Sequence, residues 1–199
     1  MTISLDEVKR LKELTGVGLT DAKIALTEAD GNFETALEAM RKKGLTRAEK
    51  KGEREARQGL VDSYVHGGRI GVVLEVNCET DFVARTDDFR ILVHDLAMHI
   101  AASSPEYVDI DDVSSEIREA KQAEFSEKVK AEGKPENMVP QIVDGMCRKY
   151  FAEKTLLEQP FIKNPDQTVG QLVKEHIARL GENIVVRQFK RVEMGVSDS

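Results

Sequence analysis

Cys78 and His66 are the residues of this chain that could perform covalent chemistry, and they lie in two successive β-rich runs. A hairpin can bring such a pair together, so that His66 acts as a base toward the Cys78 thiol while Asp81 orients the imidazole. Cys78 also shares one face of its predicted strand with the apolar residues at every second position before it. This pattern favours a buried, structural Cys78, and a cysteine hydrolase is the alternative.

The sequence predicts no metal site, no cofactor and no catalytic group. His94 and His99 are five residues apart on a predicted helix, so they do not share a face as ligands four residues apart do. The run Gly16-Val17-Gly18 lacks the third glycine of a dinucleotide motif and follows a predicted helix instead of a strand. A turn explains it better, and the carboxylates are too scattered to indicate an acid and base pair.

Residues 80–86 are unusual because they are predicted to form a loop and yet contain two adjacent apolar residues, Phe82 and Val83. Connecting loops are usually polar and lie on the surface. If both side chains tuck under the helix that follows, they form a hydrophobic staple, and the residues alone favour this arrangement. The alternative is an exposed aromatic side chain that anchors a partner protein.

The sequence predicts two structural units that position these residues. The first is a small helical bundle at residues 1–44. Three short apolar stripes with helical spacing occur there, and the third is predicted to close at Gly44. Residues 45–58 contain strong helix formers and almost no apolar face. We therefore predict a solvated, basic linker helix that separates the bundle from the rest of the chain.

Residues 59–199 are predicted to form an α+β core of antiparallel sheet packed with helices. Alternating apolar residues predict strands at 60–66, 69–78 and 183–192, and the paired glycines between the first two predict a hairpin. Apolar residues with helical spacing predict helices at 89–100, 114–131, 139–150 and 169–180. Strands in one sheet with segregated helices define the α+β class.

The composition excludes several classes of partner. The chain has 199 residues, with 29 basic and 36 acidic side chains and a net charge of -7. A nucleic-acid binder needs a surplus of positive charge, so we expect none. No apolar run approaches the roughly 20 residues that span a bilayer, and the amino terminus lacks a signal-peptide pattern. With two distant cysteines, the sequence predicts a cytoplasmic protein without a membrane partner.

The segment NCETDFVART at 77–86 closely resembles the signature of bacterial elongation factor Ts, the guanine-nucleotide exchange factor for elongation factor Tu. Further motifs of that family occur in the same order along nearly the whole chain. They are KRLKELTGVGLTDAKIAL near the start, DLAMHIA at 95–101, LLEQPFIK at 156–163 and GENIVVRQFKR at 181–191. Several motifs in order are far more specific than any one of them.

The resemblance implies a translation elongation factor that is not an enzyme. Such a factor binds elongation factor Tu in its GDP-bound and nucleotide-free forms and promotes GDP release. The family's Asp-Phe pair falls on Asp81 and Phe82, flanked by Thr80 and Val83. In the family this ring inserts between helices of the partner, beside its magnesium and phosphate site. The resemblance thus favours the anchor over the staple.

The resemblance also implies a fold and further partner contacts. The first three helices would form a domain similar to ubiquitin-associated domains, with Val17, Gly18 and Leu19 facing the partner's nucleotide domain. His66 and Gly67 at the hairpin would belong to the contact of the core. The chain has room for about one copy of the core unit, and some short members pair as homodimers, so a homodimer is an implied arrangement. The main alternative function is a helical adaptor for an unrelated protein.

Overall fold

The computed structural model describes residues 3–196, apart from the side chains of residues 45, 47 and 49. The first two and last three residues of the predicted domains lie outside that range. The helices and strands follow one another as α1 (Leu5–Thr15), α2 (Leu19–Glu28), α3 (Phe33–Lys51), β1 (Gln58–His66), β2 (Ile70–Cys78), α4 (Asp81–Ala84), α5 (Asp87–Ser103), α6 (Ser115–Ala131), α7 (Val139–Lys154), β3 (Pro160–Phe161), β4 (Asn164–Thr168), α8 (Val169–Leu180) and β5 (Ile184–Glu193).

The core is built on an antiparallel sheet with the strand order β1-β2-β5. The chain turns between β1 and β2 at Gly67 and Gly68, whose φ angles of 55° and 67° suit glycine in a tight hairpin. The three strands predicted from apolar alternation are confirmed, with ends that differ by one or two residues. The predicted α+β class, with helices before an antiparallel sheet and further helices around it, is also confirmed.

Helices cover one face of this sheet, and the main core lies between the sheet and these helices. Helix α5 packs across β1 and β2, while α8 packs against β5 and α5. The inward side chains of β2 meet the apolar stripe of α5 in a layer that is almost completely buried: Val72, Leu74, Val76, Cys78, Phe89, Leu92, Val93, Leu96 and Ile100. Each such aliphatic or aromatic side chain contributes about 1.5–3 kcal/mol by leaving water. Among residues 3–196, no helix covers the opposite face of the sheet, where Val61, Val73 and Val192 are at least half exposed.

Helices α6 and α7 pack on each other and have a small core of their own. Val129, Val139 and Val143 are buried there, with partly buried neighbours that include Phe125 and Ile142. This explains the sparse apolar stripe of α6, which covers one helix instead of the sheet. The short pair β3 and β4 was not predicted, because the residues of Asn164–Thr168 are polar and lack an alternating pattern.

The prediction that Gly44 ends the third helix is wrong. Helix α3 continues to Lys51, so residues 45–51, the first half of the predicted linker helix at 45–58, belong to α3, and residues 52–57 are not helical. That half is not solvated all round, since Ala48 is buried in the main core and α3 packs along α8. A Cβ at Gly44 would lie 3.3 Å from the Cβ of Ala178. The glycine lets two helices approach closely instead of stopping one of them.

Candidate partner-binding site

Phe82 lies on α4, the single helical turn that follows β2, and its side chain is 80% exposed. The segment predicted as a loop is therefore a short helix. Val83 is partly buried against the main core, and Ala84 is buried. The staple arrangement thus describes Val83 but not Phe82. A large aromatic side chain held in solvent on ordered backbone is typical of a surface that binds another protein.

The backbone in front of α4 is held by Glu182, which the sequence reasoning did not select. Its Oε2 accepts hydrogen bonds from the backbone N–H groups of Glu79 at 3.1 Å and Thr80 at 3.0 Å. Its Oε1 accepts from the Thr80 hydroxyl at 2.6 Å. That hydroxyl in turn caps α4 by accepting from the Val83 N–H at 3.5 Å. The sequence signal for Glu182 was its position in the motif at 181–191. That motif does not show which residues Glu182 contacts.

Glu79 and Asn183 make the reciprocal contact. The Glu79 carboxylate accepts from the backbone N–H of Asn183 at 2.7 Å. The buried Asn183 amide donates to the carbonyls of Gly52 at 3.2 Å and Arg54 at 2.7 Å. We call Glu79, Thr80, Glu182 and Asn183 the polar junction. It joins the chain after α3, the start of α4 and the turn between α8 and β5.

Asp81, the neighbour of Phe82, remains accessible to a partner. Its Oδ2 lies 2.8 Å from Nη2 of Arg85 one helical turn further on, and both side chains are largely exposed. An exposed pair of this kind contributes at most about 1 kcal/mol. The pair can therefore open when another charged or polar group approaches.

The three residues predicted for the amino-terminal contact differ in their accessibility. The Val17 side chain is buried in the core of the helical bundle formed by α1, α2 and α3. Gly18 is exposed and precedes α2 as its amino-terminal cap, and Leu19 is 47% exposed. Leu19 is thus the apolar side chain of this group that the surface presents, while Val17 shapes the turn from within.

This turn packs against the core, because α1 ends against α8. Gly16 has a φ of 67°, and a Cβ there would lie 2.6 Å from the Cα of Arg179. The Nε of Arg179 lies 3.3 Å from the Oδ2 of Asp88, in the first turn of α5. Asp88 follows Phe82 by six residues in the chain, so the end of α1 is linked through Arg179 to the helix that follows the Phe82 turn.

His66 and Gly67 lie at the opposite end of the hairpin. The strands pair Gln58 with Cys78 at one end and His66 with Ile70 at the other. Eight residue steps in a strand span about 27 Å. His66 is exposed, and its Nδ1 lies 3.0 Å from the Tyr64 hydroxyl. The structure therefore does not bring His66 and Gly67 to the Phe82 site.

The same separation shows that the cysteine hydrolase alternative is wrong, because His66 cannot reach Cys78. Cys78 is completely buried, and its Sγ donates to the carbonyl of Thr80 at 3.1 Å. Burial, together with the nearby Glu182 carboxylate, raises the pKa of the Cys78 thiol to about 11. The thiolate is the nucleophilic form, so Cys78 is unreactive near neutral pH.

His99, one of the two histidines on the predicted helix, has a structural role. His99 is buried, with Nε2 2.9 Å from Oε1 of Gln159 and Nδ1 accepting from the Ile162 N–H at 3.3 Å. Burial lowers the pKa of His99, which favours the neutral ring in this arrangement. Among residues 3–196, no group of three His, Cys, Asp or Glu side chains is arranged to hold a metal ion. Nor does any helix in that range have the length and apolar character needed to cross a bilayer.

The fold and the site together define an α+β protein that binds another protein. Its exposed aromatic side chain, held on an ordered turn, is the feature that indicates this class. The family model described as elongation factor TS matches residues 34–196. The elongation factor Ts of Moorella thermoacetica is 54% identical over 194 residues, which cover 97% of this chain and 96% of that protein. That of Geobacter sulfurreducens is 49% identical over 196 residues, covering 98% of this chain and 91% of that protein. The chain belongs to the elongation factor Ts family of translation elongation factors.

Proposed function

We propose that this chain is a guanine-nucleotide exchange factor that binds elongation factor Tu and promotes the release of GDP. The observation that carries the proposal is Phe82, which is 80% exposed on a turn held by the polar junction. A ring whose backbone is already ordered loses little further conformational freedom when it enters a partner. Phe82 and its neighbour Asp81 are the residues we propose for insertion beside the partner's magnesium and phosphate site.

Exchange then follows from linkage and needs no covalent step, so the factor is not an enzyme in this proposal. If the factor binds nucleotide-free elongation factor Tu more tightly than the GDP form, GDP must bind the complex more weakly by the same ratio. A ring that separates the helices on the magnesium side favours the partner conformation with weak nucleotide affinity. GDP leaves faster, and GTP can refill the site.

The proposal is tested with elongation factor Tu that carries a fluorescent GDP analogue, chased with excess unlabelled GDP. The release rate should rise with the concentration of the factor and reach a plateau. A helical adaptor would bind without changing the release rate. A rate that stays at its intrinsic value while a complex forms would therefore reject the exchange function and favour the adaptor.

We propose the bundle at residues 1–44 as a module similar to ubiquitin-associated domains that adds affinity for the partner. Residues 45–58 connect it to the dimerisation and core domain at 59–199. The exposed Gly18 and Leu19 support a contact there, and the close approach of Gly16 to Arg179 supports a fixed orientation of the bundle. We retain His66 and Gly67 as a second contact of the core, about 27 Å from Phe82 along the hairpin.

Leu19→Ala is expected to raise the factor concentration for half-maximal release about fivefold and to leave the plateau rate unchanged. The substitution removes an apolar contact worth ~1 kcal/mol of binding, and no group at the nucleotide site changes. Ile24→Ala is the matched control, because Ile24 is also 47% exposed on α2. It lies five residues further on, about 140° around the helix. Equal effects of the two substitutions, or a lower plateau for Leu19→Ala, would contradict the assignment.

We also propose that two copies of the chain pair through the uncovered face of the sheet. Four valines on this face are at least half exposed: Val61, Val65, Val73 and Val192. These valines share the face with polar residues such as Glu75 and Lys190, and exposed apolar side chains grouped on one sheet face are typical of an interface. The net charge of -7 supports a factor without a nucleic-acid partner. We propose that it acts in the cytoplasm without a membrane partner.

Sedimentation equilibrium at micromolar concentration is expected to give twice the mass of one chain. Val73→Lys should shift the mass to that of a monomer, because a two-fold interface would bury two unpaired ammonium groups. Leu5→Lys, at an exposed position on α1, is the control that should leave the dimer intact. A wild-type monomer at every concentration would reject the pairing.

A further inference from the structure

We infer that Glu182 is a positioning residue for nucleotide exchange, because its carboxylate sets the direction in which the Phe82 side chain projects from the protein surface. The inference rests on the proposed function of Phe82, through which Glu182 acts. Glu182 follows Phe82 by 100 residues in the chain, yet it contacts the backbone two residues before the ring.

Helix α4 cannot determine its own orientation. It has four residues, and its backbone makes little more than one turn, with the Ala84 N–H bonded to the Thr80 carbonyl at 3.3 Å. A single helical turn is unstable without outside contacts, since nucleation fixes several dihedral angles for one hydrogen bond. The orientation of α4 therefore depends on contacts outside it, namely the packing of Val83 and Ala84 against the main core and the hydrogen bonds of its cap residue, Thr80.

The Thr80 hydroxyl is held by Glu182 in a defined state. It has one proton, which it donates to Oε1 of Glu182 at 2.6 Å. Its lone pair is then directed toward the N–H of Val83 at 3.5 Å, which caps α4. Without the carboxylate this hydroxyl could rotate, and the cap would no longer be defined.

The chemistry of the site requires a glutamate. Three donors converge on Glu182, namely the N–H groups of Glu79 and Thr80 and the Thr80 hydroxyl. An ionised carboxylate only accepts and can satisfy all three, whereas a glutamine amide would direct N–H bonds at one of the donors. A glutamine should therefore retain part of the contact, and an alanine should lose all of it.

Glu182 is itself fixed where three elements meet. It follows Gly181, which ends α8 with a φ of 80°. The Gly181 carbonyl accepts from Nζ of Lys51 at the end of α3 at 2.5 Å. The next residue, Asn183, bonds to the carbonyls of Gly52 and Arg54. The turn that carries Glu182 is thus bound to the end of α3 and to the residues that follow it, and α3 is also part of the amino-terminal bundle.

A double-mutant cycle between Glu182 and Phe82 tests the inference in the full chain. Glu182→Ala should lower the plateau rate of stimulated GDP release about five- to tenfold, after subtraction of the intrinsic rate. Glu182→Gln should give an intermediate loss, and the half-saturating concentration should change less than the plateau. In a Phe82→Ala background, Glu182→Ala should change the rate by less than about twofold, because the group it positions is gone.

Thr80→Val removes the two hydrogen bonds of the Thr80 hydroxyl at nearly constant size and should also lower the plateau, while the backbone N–H bonds to Oε2 of Glu182 remain. Thr168→Val is its matched control, since Thr168 caps α8 by accepting from the Gln171 N–H at 3.2 Å and is also partly buried. This control should reduce thermal stability without lowering the plateau per folded molecule. If Glu182→Ala does not fold, Glu182→Gln and Thr80→Val carry the test.

The outcomes separate the two proposals. Equal effects of Glu182→Ala with and without Phe82 would show that Glu182 contacts the partner directly or acts on overall stability, and would overturn the inference. If Phe82→Ala slows release and the Glu182 and Thr80 variants do not, only the positioning role is rejected. If Phe82→Ala itself leaves release unchanged, the proposed role of Phe82 is rejected, and the Glu182 inference with it.

Discussion

Phe82→Ala is expected to slow factor-stimulated GDP release at least about tenfold, while the melting temperature of the factor changes little. Truncation of an aromatic anchor typically costs ~2–4 kcal/mol of binding, and each 1.4 kcal/mol is about a tenfold change. The ring is 80% exposed, so its removal takes almost no buried contact from the fold. The measurements are the release rate as a function of factor concentration and the thermal unfolding curve of the factor alone.

Phe89→Ala is the control with the opposite expectation. Phe89 is completely buried in the main core, so its truncation should cost about 3–5 kcal/mol of stability. Stimulated release per folded molecule should stay near the wild-type value. The assignment of Phe82 would be rejected if Phe82→Ala behaved in the same way, with a loss of ~3 kcal/mol or more in stability and unchanged release.

Gly59→Ala is expected to destabilise the fold by at least about 3 kcal/mol, or to prevent folding. Gly59 lies in β1 with a φ of 145°, a conformation that residues with a side chain rarely adopt. A Cβ there would lie 2.1 Å from the carbonyl oxygen of Val76 and 2.7 Å from the Cα of Asn77. Both are backbone atoms of the neighbouring strand β2, so relief requires the two strands to separate.

Gly71→Ala is the matched control on the same hairpin. Gly71 lies in β2, and among the described residues no heavy atom beyond its own chain neighbours lies within 4 Å of the position that its Cβ would take. Alanine reduces the freedom of the unfolded chain, so the change should be within about 1 kcal/mol and can be stabilising. The measurement is the free energy of unfolding from urea titration. Similar changes for the two variants would show that the sheet tolerates the extra atom at Gly59.

The elements of the core could be predicted from the sequence because their apolar periods report which side is buried. The alternation at 69–78 and the helical spacing at 169–180 predicted β2 and α8 within a residue or two. The hairpin followed from its paired glycines, since few other residues adopt the required φ angles. The motif at 77–86 identified the family, since its order with the other motifs is specific.

Only the tertiary structure decided what local patterns leave open. Gly44 could have ended α3, and the position of Ala178 shows instead that it permits close packing against α8. Phe82 could have been a staple, and its environment places it in solvent because Val83 fills the space against the core. The contact of Glu182 with Thr80 joins residues 102 positions apart. Periodicity describes one element at a time, whereas a contact between distant segments exists only once their elements have packed.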